Sequence, residues 1–154
     1  MKHFKLLPSV LLAALASTCV LGIAHADDAL KMDLTANQVI KNAEGKTVYS
    51  PVRTAPKGTV IQYKATYTNT INKDINDLMV TLPIPTNMTF TGEVIPASAQ
   101  ASTDGQNYGD MPLMRKVNGQ LVKVPLSEYR MLRWNIKLLP AKKSAAVALN
   151  TTVD

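Results

Sequence analysis

The amino-acid sequence predicts an all-β fold built from antiparallel sheets. Along most of the chain, apolar and polar residues alternate with a period of two, which is the pattern of strands that bury one face. Apolar residues at the spacing of an amphipathic helix are nearly absent. Turn-forming residues recur about every ten positions, as they do between the short strands of a sandwich or a barrel. Together these observations predict eight or nine short strands.

Four predicted strands in the first half of the chain are defined by their inward-facing residues. These are Leu30, Met32, Leu34 and Ala36; Ile61, Tyr63, Ala65 and Tyr67; Leu78, Val80, Leu82 and Ile84; and Met88, Phe90, Gly92 and Val94. A short edge strand is expected at 47–49, and Pro51 and Pro56 predict a loop after it. Pro83 and Pro85 exclude a central position for the end of their strand, because proline donates no backbone hydrogen bond.

The second half of the chain predicts two hairpins and two long strands. The hairpin turns are Asp104-Gly105, between 97–103 and 106–108, and Asn118-Gly119, between 113–117 and 121–124; both dipeptides suit turns that need positive φ. Residues 127–131 are expected to form one helical turn. The inward sets of the long strands are Leu132, Trp134, Ile136 and Leu138, and then Ala145, Val147, Leu149, Thr151 and Val153. Trp134 should lie between the sheets, with Leu132, Ile136, Tyr63 and Val80 as neighbours.

This order of strands and turns predicts an antiparallel sandwich of immunoglobulin-like type, with a barrel as the alternative. Residues 27–154 are predicted to form this single domain, and their number, 128, suits one domain with its own core. Residues 1–26 are predicted to be a signal peptide. No internal repeat is visible.

The signal peptide is predicted from three features of the N-terminal segment. Lys2 and Lys5 precede a largely apolar stretch at 6–23, and Ala24-His25-Ala26 has the small-x-small pattern of a cleavage site. Cleavage after Ala26 implies a periplasmic or secreted protein with no stable membrane anchor. The alternative, a lipid attached to Cys19, matches poorly because Ala16 and Thr18 replace the residues expected before a lipidated cysteine.

The composition of residues 27–154 argues against catalysis. Cys19, His3 and His25 are the only cysteine and histidines of the chain, and all lie in the predicted signal peptide. The remaining domain therefore has no thiol nucleophile, no imidazole acid or base, and none of the commonest zinc and copper ligands. Glu44, Glu93 and Glu128 are widely scattered in the sequence, unlike the paired carboxylates of a glycosidase. The sequence predicts no enzyme, no cofactor and no metal site.

Positive charge is concentrated in the C-terminal third. Residues 111–154 carry 8 basic and 2 acidic side chains, whereas residues 27–110 carry 7 basic and 9 acidic ones. The candidate surface for an anionic ligand consists of Arg115, Lys116, Lys123, Arg133 and Lys137. Its expected partner is an anionic envelope component or a protein, and not a nucleic acid. The alternative, which we favour, is an ordinary solvated face.

Three stretches resemble a known family. They are Lys57-Gly58-Thr59-Val60-Ile61-Gln62-Tyr63 with Tyr67-Thr68-Asn69, Val80-Thr81-Leu82-Pro83-Ile84-Pro85 with Phe90, and Arg133-Trp134-Asn135-Ile136 with Leu139-Pro140. Their order is similar to that of the conserved-repeat domain of bacterial surface and exported proteins, a domain of unknown function (number eleven), over about residues 29–153. The resemblance implies an immunoglobulin-like sandwich that serves as a spacer or adhesion module, without established catalytic residues. Ala141 departs from the glycine of the family pattern.

We therefore expect an exported, non-catalytic β-sandwich that acts as a binding or scaffolding module in the bacterial envelope. One alternative is a subunit of a fimbrial or surface polymer joined by strand addition, which an unpaired apolar edge would favour. A second alternative is a periplasmic hydrolase, which a deep cleft with two carboxylates would favour.

Overall fold

A computed structural model of the chain describes residues 29–154, and these residues form eleven β-strands and one short 3-10 helix at Leu126–Glu128. The strands are β1 (Leu30–Lys41), β2 (Thr47–Pro51), β3 (Val60–Asn69), β4 (Ile75–Pro83), β5 (Met88–Ile95), β6 (Gln100–Ser102), β7 (Gly109–Asp110), β8 (Met114–Val117), β9 (Gln120–Lys123), β10 (Met131–Leu139) and β11 (Ser144–Val153). The predicted signal peptide, 1–26, lies outside the described residues.

The strands form two main sheets and one hairpin. Sheet A has five strands in the order β2-β1-β3-β11-β5, sheet B has four in the order β4-β10-β6-β7, and β8 pairs only with β9. Every strand pair is antiparallel. The prediction of an all-β fold with antiparallel sheets is confirmed, and the sheets do not close into a barrel. The count of eight or nine strands was too low: eleven form, and four of them, β6 to β9, are at most four residues long.

The core lies between sheets A and B and draws apolar side chains from both. Its buried members include Ala65, Tyr67, Phe90, Val147 and Leu149 from sheet A, and Val80, Leu82, Ala101, Leu132, Trp134 and Leu139 from sheet B. Trp134 is 2% exposed and stands opposite Val80, and its indole Nε1 donates a hydrogen bond to the Pro96 carbonyl at 3.0 Å. Tyr63 and Ile136 pack against the same core as partly buried side chains. The predicted position of Trp134 is confirmed.

The two predicted hairpins form, one of them with a longer loop. Asn118 and Gly119 have φ angles of 51° and 82°, so both occupy the left-handed region that a two-residue hairpin turn requires. After β6, residues 106–108 were expected to be a strand but belong to the loop. The reason is Asp104, whose carboxylate accepts the backbone N–H groups of Gln106 and Asn107 at 2.8 Å and holds them away from a ladder.

Three side chains that were predicted to point inward are exposed instead. Leu138 was assigned to the core, but it is 51% exposed and Leu139 is buried in its place. Lys137 and Asp77 are not paired in the ladder although their neighbours on both sides are, and Asp77 has a φ of 49°; the alternation of β10 breaks at this point. The face of β1 expected to be half-buried also differs, because Met32 is 52% and Leu34 54% exposed. Met32 stands opposite Tyr67 of β3, and Leu34 stands opposite Ala65, so both lie on the face of sheet A that carries the core.

Candidate functional site

The face of sheet A that points away from sheet B is concave. A hollow of about 480 Å³ is lined by residues of β2 and β5, the two edge strands of this sheet, as well as by residues between them. Because both edges line one hollow, the sheet must curve outward around it. We call this hollow the trough, and its central residues are Val39, Tyr49, Gln62, Glu93, Ile95 and Asn150.

The floor of the trough is formed by β3 and β11. Gln62 and Asn150 stand opposite each other in this strand pair, with Ala148 next along β11. All three point away from the core, yet all three are buried. An outward face of an antiparallel sheet is normally solvated, so the burial of two amide side chains here reflects the raised walls around them.

One wall is made by an irregular part of β5. Phe90 pairs with Thr151 and Val94 with Leu149, so β5 gains two residues relative to β11 between these pairs. Gly92 lies in this bulge with a φ of 93°, a conformation that glycine adopts more readily than other residues. The bulge brings Glu93 to Asn150, whose side-chain Nδ2 donates a hydrogen bond to the Glu93 carboxylate at 2.5 Å.

Asn150 is left with an unused acceptor at the floor of the trough. Its side-chain Oδ1 is buried and accepts no hydrogen bond from the described part of the chain, and the residue as a whole is 9% exposed. A buried polar atom without a partner costs about 1–3 kcal/mol. The Asn150 side chain lines the trough, so a donor group of a bound molecule could satisfy this oxygen once the side chains that cover it move aside.

The walls offer apolar and aromatic surface. Tyr49 of β2 and Ile95 of β5 line the trough and are both about half-exposed. Lys41, also in the lining, donates to the Thr47 hydroxyl at 2.5 Å. The trough therefore combines amides, one carboxylate, one ammonium group and an aromatic ring. This mixture suits a ligand with both polar groups and an apolar face.

The five residues of the predicted basic surface lie on the β8–β9 hairpin and on β10. Three of their side chains contact other residues of the chain. Arg115 of β8 makes a two-pronged contact with Glu128, with N–O distances of 2.5 and 3.0 Å. Arg133 of β10 lies over the Tyr108 ring at 4.0 Å and donates to Gln100 Oε1 at 2.6 Å. Lys137 pairs with Asp77 at 3.2 Å, and its hydrogen bond lowers the pKa of that carboxyl.

Lys116 and Lys123 are the remaining members of the basic set. Both lie on the β8–β9 hairpin, are exposed, and form no ion pair with a described residue. They are the two charges of the set most available to an anion. Binding of an anionic ligand by the five residues stays a prediction.

The three scattered glutamates do not meet. Glu44 pairs with Lys46 in the β1–β2 turn, Glu128 pairs with Arg115, and Glu93 lies in the trough. Across residues 29–154 no group of three or more His, Cys, Asp or Glu side chains is arranged to hold a metal ion. The trough itself contains a single carboxylate.

Comparisons with protein-family models, with curated proteins and with solved structures find no match to this chain. Within the part of the chain that the structure describes, no helix has the length and apolarity needed to cross a membrane.

Sequence reasoning did not identify the trough, although two signals for it exist. From Ala145 to Leu149 every residue of β11 is apolar, a pattern expected when both faces of a strand are covered. Gly92 interrupts an alternating strand, which indicates a bulge. These signals mark β11 and β5, but neither shows that β2 closes the opposite side.

Proposed function

We propose that this chain is a non-catalytic binding module of the bacterial envelope, and that it holds a saccharide in the trough. The observation that carries the proposal is the trough, a hollow of about 480 Å³ whose lining includes Asn150, the residue with a buried Oδ1 that accepts no hydrogen bond from a described residue. Export rests on the predicted signal peptide, and the envelope location follows from it.

The chemistry of the lining favours a saccharide. A sugar hydroxyl or acetamido N–H can donate to Asn150 Oδ1, and the Gln62 amide can donate to a ligand oxygen or accept from a ligand N–H. Tyr49 offers an aromatic face to the apolar side of a sugar ring. One ammonium group and one carboxylate give the lining no net formal charge. A neutral sugar with an acetamido group fits these partners best.

Binding fits this lining better than hydrolysis does. Glycosidases use two carboxyl groups that flank the scissile bond, about 5–10 Å apart. Glu93 is the one carboxylate that lines the trough, and it is already hydrogen-bonded to Asn150. A bound glycan would therefore find a hydrogen-bond acceptor and no second carboxyl group to act as acid or base.

The proposal is tested by titrating the purified domain with triacetylchitotriose and following its amide resonances by NMR. We expect shifts at Tyr49, Gln62 and Asn150, and we expect Asn150→Ala to abolish them. Asn135→Ala, on the outer face of sheet B, is the matched control and should bind normally. Maltotriose has the same number of rings without acetamido groups and should bind more weakly. No shifts at millimolar triacetylchitotriose, or shifts confined to other surfaces, would contradict the proposal.

A second candidate function is assembly by strand addition, and one observation favours it. The N-terminal part of β1 has β3 on one side and no described strand on the other, and it carries the exposed Met32 and Leu34. An open edge with apolar side chains is a template for a strand of another chain.

A further inference from the structure

The two parts of β1 differ in what lies beside them. Residues 37–41 pair with β2, and the Val52 N–H closes this contact by donating to the Ala36 carbonyl at 3.2 Å. Among the described strands, residues 30–35 pair with β3 alone. We call residues 30–35 the open edge. The open edge is therefore a six-residue strand segment whose outer backbone groups pair with no strand among residues 29–154.

The direction of the available groups follows from the hydrogen bonds at the two ends of the open edge. The Ala29 carbonyl accepts from Thr70 N–H, so it points towards the β3 side, whereas the Ala36 carbonyl points towards β2. Backbone groups of successive residues in a strand point to opposite sides. Leu30, Met32 and Leu34 therefore direct their N–H and C=O groups outward along the open edge.

We propose that two copies of this chain pair antiparallel along the open edge, with a two-fold axis at Met32. In this register Met32 faces Met32 of the second copy, and Leu30 of each copy faces Leu34 of the other. All three pairs are of the hydrogen-bonded kind, because these residues point outward. Sheet A would become one continuous ten-stranded sheet across the two copies.

The charges on the open edge select this register over its neighbours. With the axis at Met32, Lys31 of each copy lies opposite Asp33 of the other, at the closely spaced, non-hydrogen-bonded positions. Moving the axis by one residue to Lys31 places two lysines opposite each other. Moving it to Asp33 places two aspartates opposite each other and also brings a second strand against the occupied Ala36 carbonyl. Like charges at such positions are unfavourable.

The same register covers the apolar face of the open edge. Met32 and Leu34 lie on one face of β1, with exposed fractions of 52% and 54%. Pairing brings each of them beside Met32 or Leu30 of the second copy, so apolar side chains meet where they would otherwise face water. The two-fold axis closes the assembly at two copies, because each open edge is then used.

This inference rests on the second proposed function, strand addition, and is independent of saccharide binding. It is tested by charge exchange at two exposed residues whose side chains point away from the core. Lys31→Asp and Asp33→Lys each place like charges opposite each other in a homodimer. We expect the dimer dissociation constant of each variant, measured by analytical ultracentrifugation, to rise at least about tenfold.

Two combinations should restore the dimer. An equimolar mixture of the two single variants should form a heterodimer, because two carboxylates of one chain, at positions 31 and 33, then lie opposite two ammonium groups of the other. The double variant Lys31→Asp/Asp33→Lys should again form a homodimer. Lys46→Asp and Glu44→Lys make the same charge changes in the β1–β2 turn and should leave dimerisation unchanged. A wild-type dimer that the single variants do not weaken, or a mixture that fails to pair, would overturn the proposed register.

Hydrogen–deuterium exchange separates this inference from strand addition in general. In the wild-type dimer the amides of Leu30, Met32 and Leu34 should be protected, and the single charge variants should lose this protection. Protection that persists in both charge variants would overturn self-pairing in this register and leave strand addition standing. Free exchange of these amides in the wild-type protein at high concentration would overturn both.

Discussion

Sheet A contains two buried asparagines, Asn69 and Asn150, whose side chains differ in how many hydrogen bonds they form. Asn69, at the end of β3, donates through Nδ2 to the carbonyls of Lys73, Leu139 and Pro140 at 2.8–3.2 Å, and its Oδ1 accepts from the Ile71 N–H at 3.1 Å. Asn150, in β11, donates to Glu93, and its Oδ1 accepts no hydrogen bond from a residue in 29–154.

The difference separates a structural polar group from one that is kept available. Asn69 joins the loop after β3 to the end of β10 and the β10–β11 turn by donating to carbonyl groups of both. A buried, fully bonded amide stabilises the fold. Asn150 carries the cost of a buried acceptor without a partner among the described residues, and a ligand that donated to it would recover this cost. We infer that Asn69 serves stability, and we propose that Asn150 serves binding.

The largest effect is expected at Asn69. Asn69→Ala removes the donor of three carbonyls and the acceptor of one N–H, so we expect the free energy of unfolding to fall by about 3 kcal/mol. Urea unfolding measures this loss, with Asn135→Ala as the control on an exposed position. A loss below about 1 kcal/mol would show that the Asn69 side chain does not stabilise the fold as proposed.

A smaller effect is expected at Gly92, which shapes the wall beside Asn150. Gly92→Ala forces an alanine into a φ of 93°, and we expect it to cost about 1–2 kcal/mol and to weaken saccharide binding. Gly45 has a φ of 75° in the β1–β2 turn, so Gly45→Ala should cost a similar amount and leave binding intact. Equal binding by both variants would show that the bulge does not shape the site.

A third effect is expected at Asp104, an exposed carboxylate that accepts several hydrogen bonds. The Asn107 side-chain amide, with the N–H groups of Asn107 and Gln106, holds the pKa of Asp104 well below its ordinary value. A lowered folded pKa contributes stability above the unfolded pKa of about 4, and this stability is lost as pH falls further. The melting temperature of the wild type should therefore approach that of Asp104→Asn as the pH falls from 5 to about 2. A difference that stays constant over this range would show that ionisation of Asp104 is not involved.

Much of the fold follows from local patterns. Alternation identified the long strands, and Asn118-Gly119 identified its hairpin, because a two-residue turn of this type is encoded within the dipeptide itself. Leu138 was misassigned because the irregularity opposite it lies in β4, a strand distant in sequence. Met32 and Leu34 were assigned to a buried face because alternation shows which residues share a face, and not what covers that face.

The trough could not be found in this way, because it depends on curvature. Lys41 and Tyr49 come from β1 and β2, whereas Glu93 and Asn150 come from β5 and β11. Their approach is set by the bend of a five-stranded sheet and by a bulge between two of its strands. The charge count identified the C-terminal third instead, where the structure pairs Arg115 and Lys137 with neighbouring acids.

The central claim, that the Asn150 amide is retained for a ligand, is tested most directly by the urea unfolding of Asn150→Ala with and without triacetylchitotriose. We predict that the variant and the wild type unfold with free energies within about 0.5 kcal/mol of each other in buffer, because loss of the Nδ2 hydrogen bond to Glu93 is offset by removal of the buried Oδ1 that has no partner. Saturating sugar should then stabilise the wild type and leave the variant unchanged. An Asn150→Ala variant that loses as much stability as Asn69→Ala, with no effect of the sugar on either Asn150→Ala or the wild type, would contradict the claim.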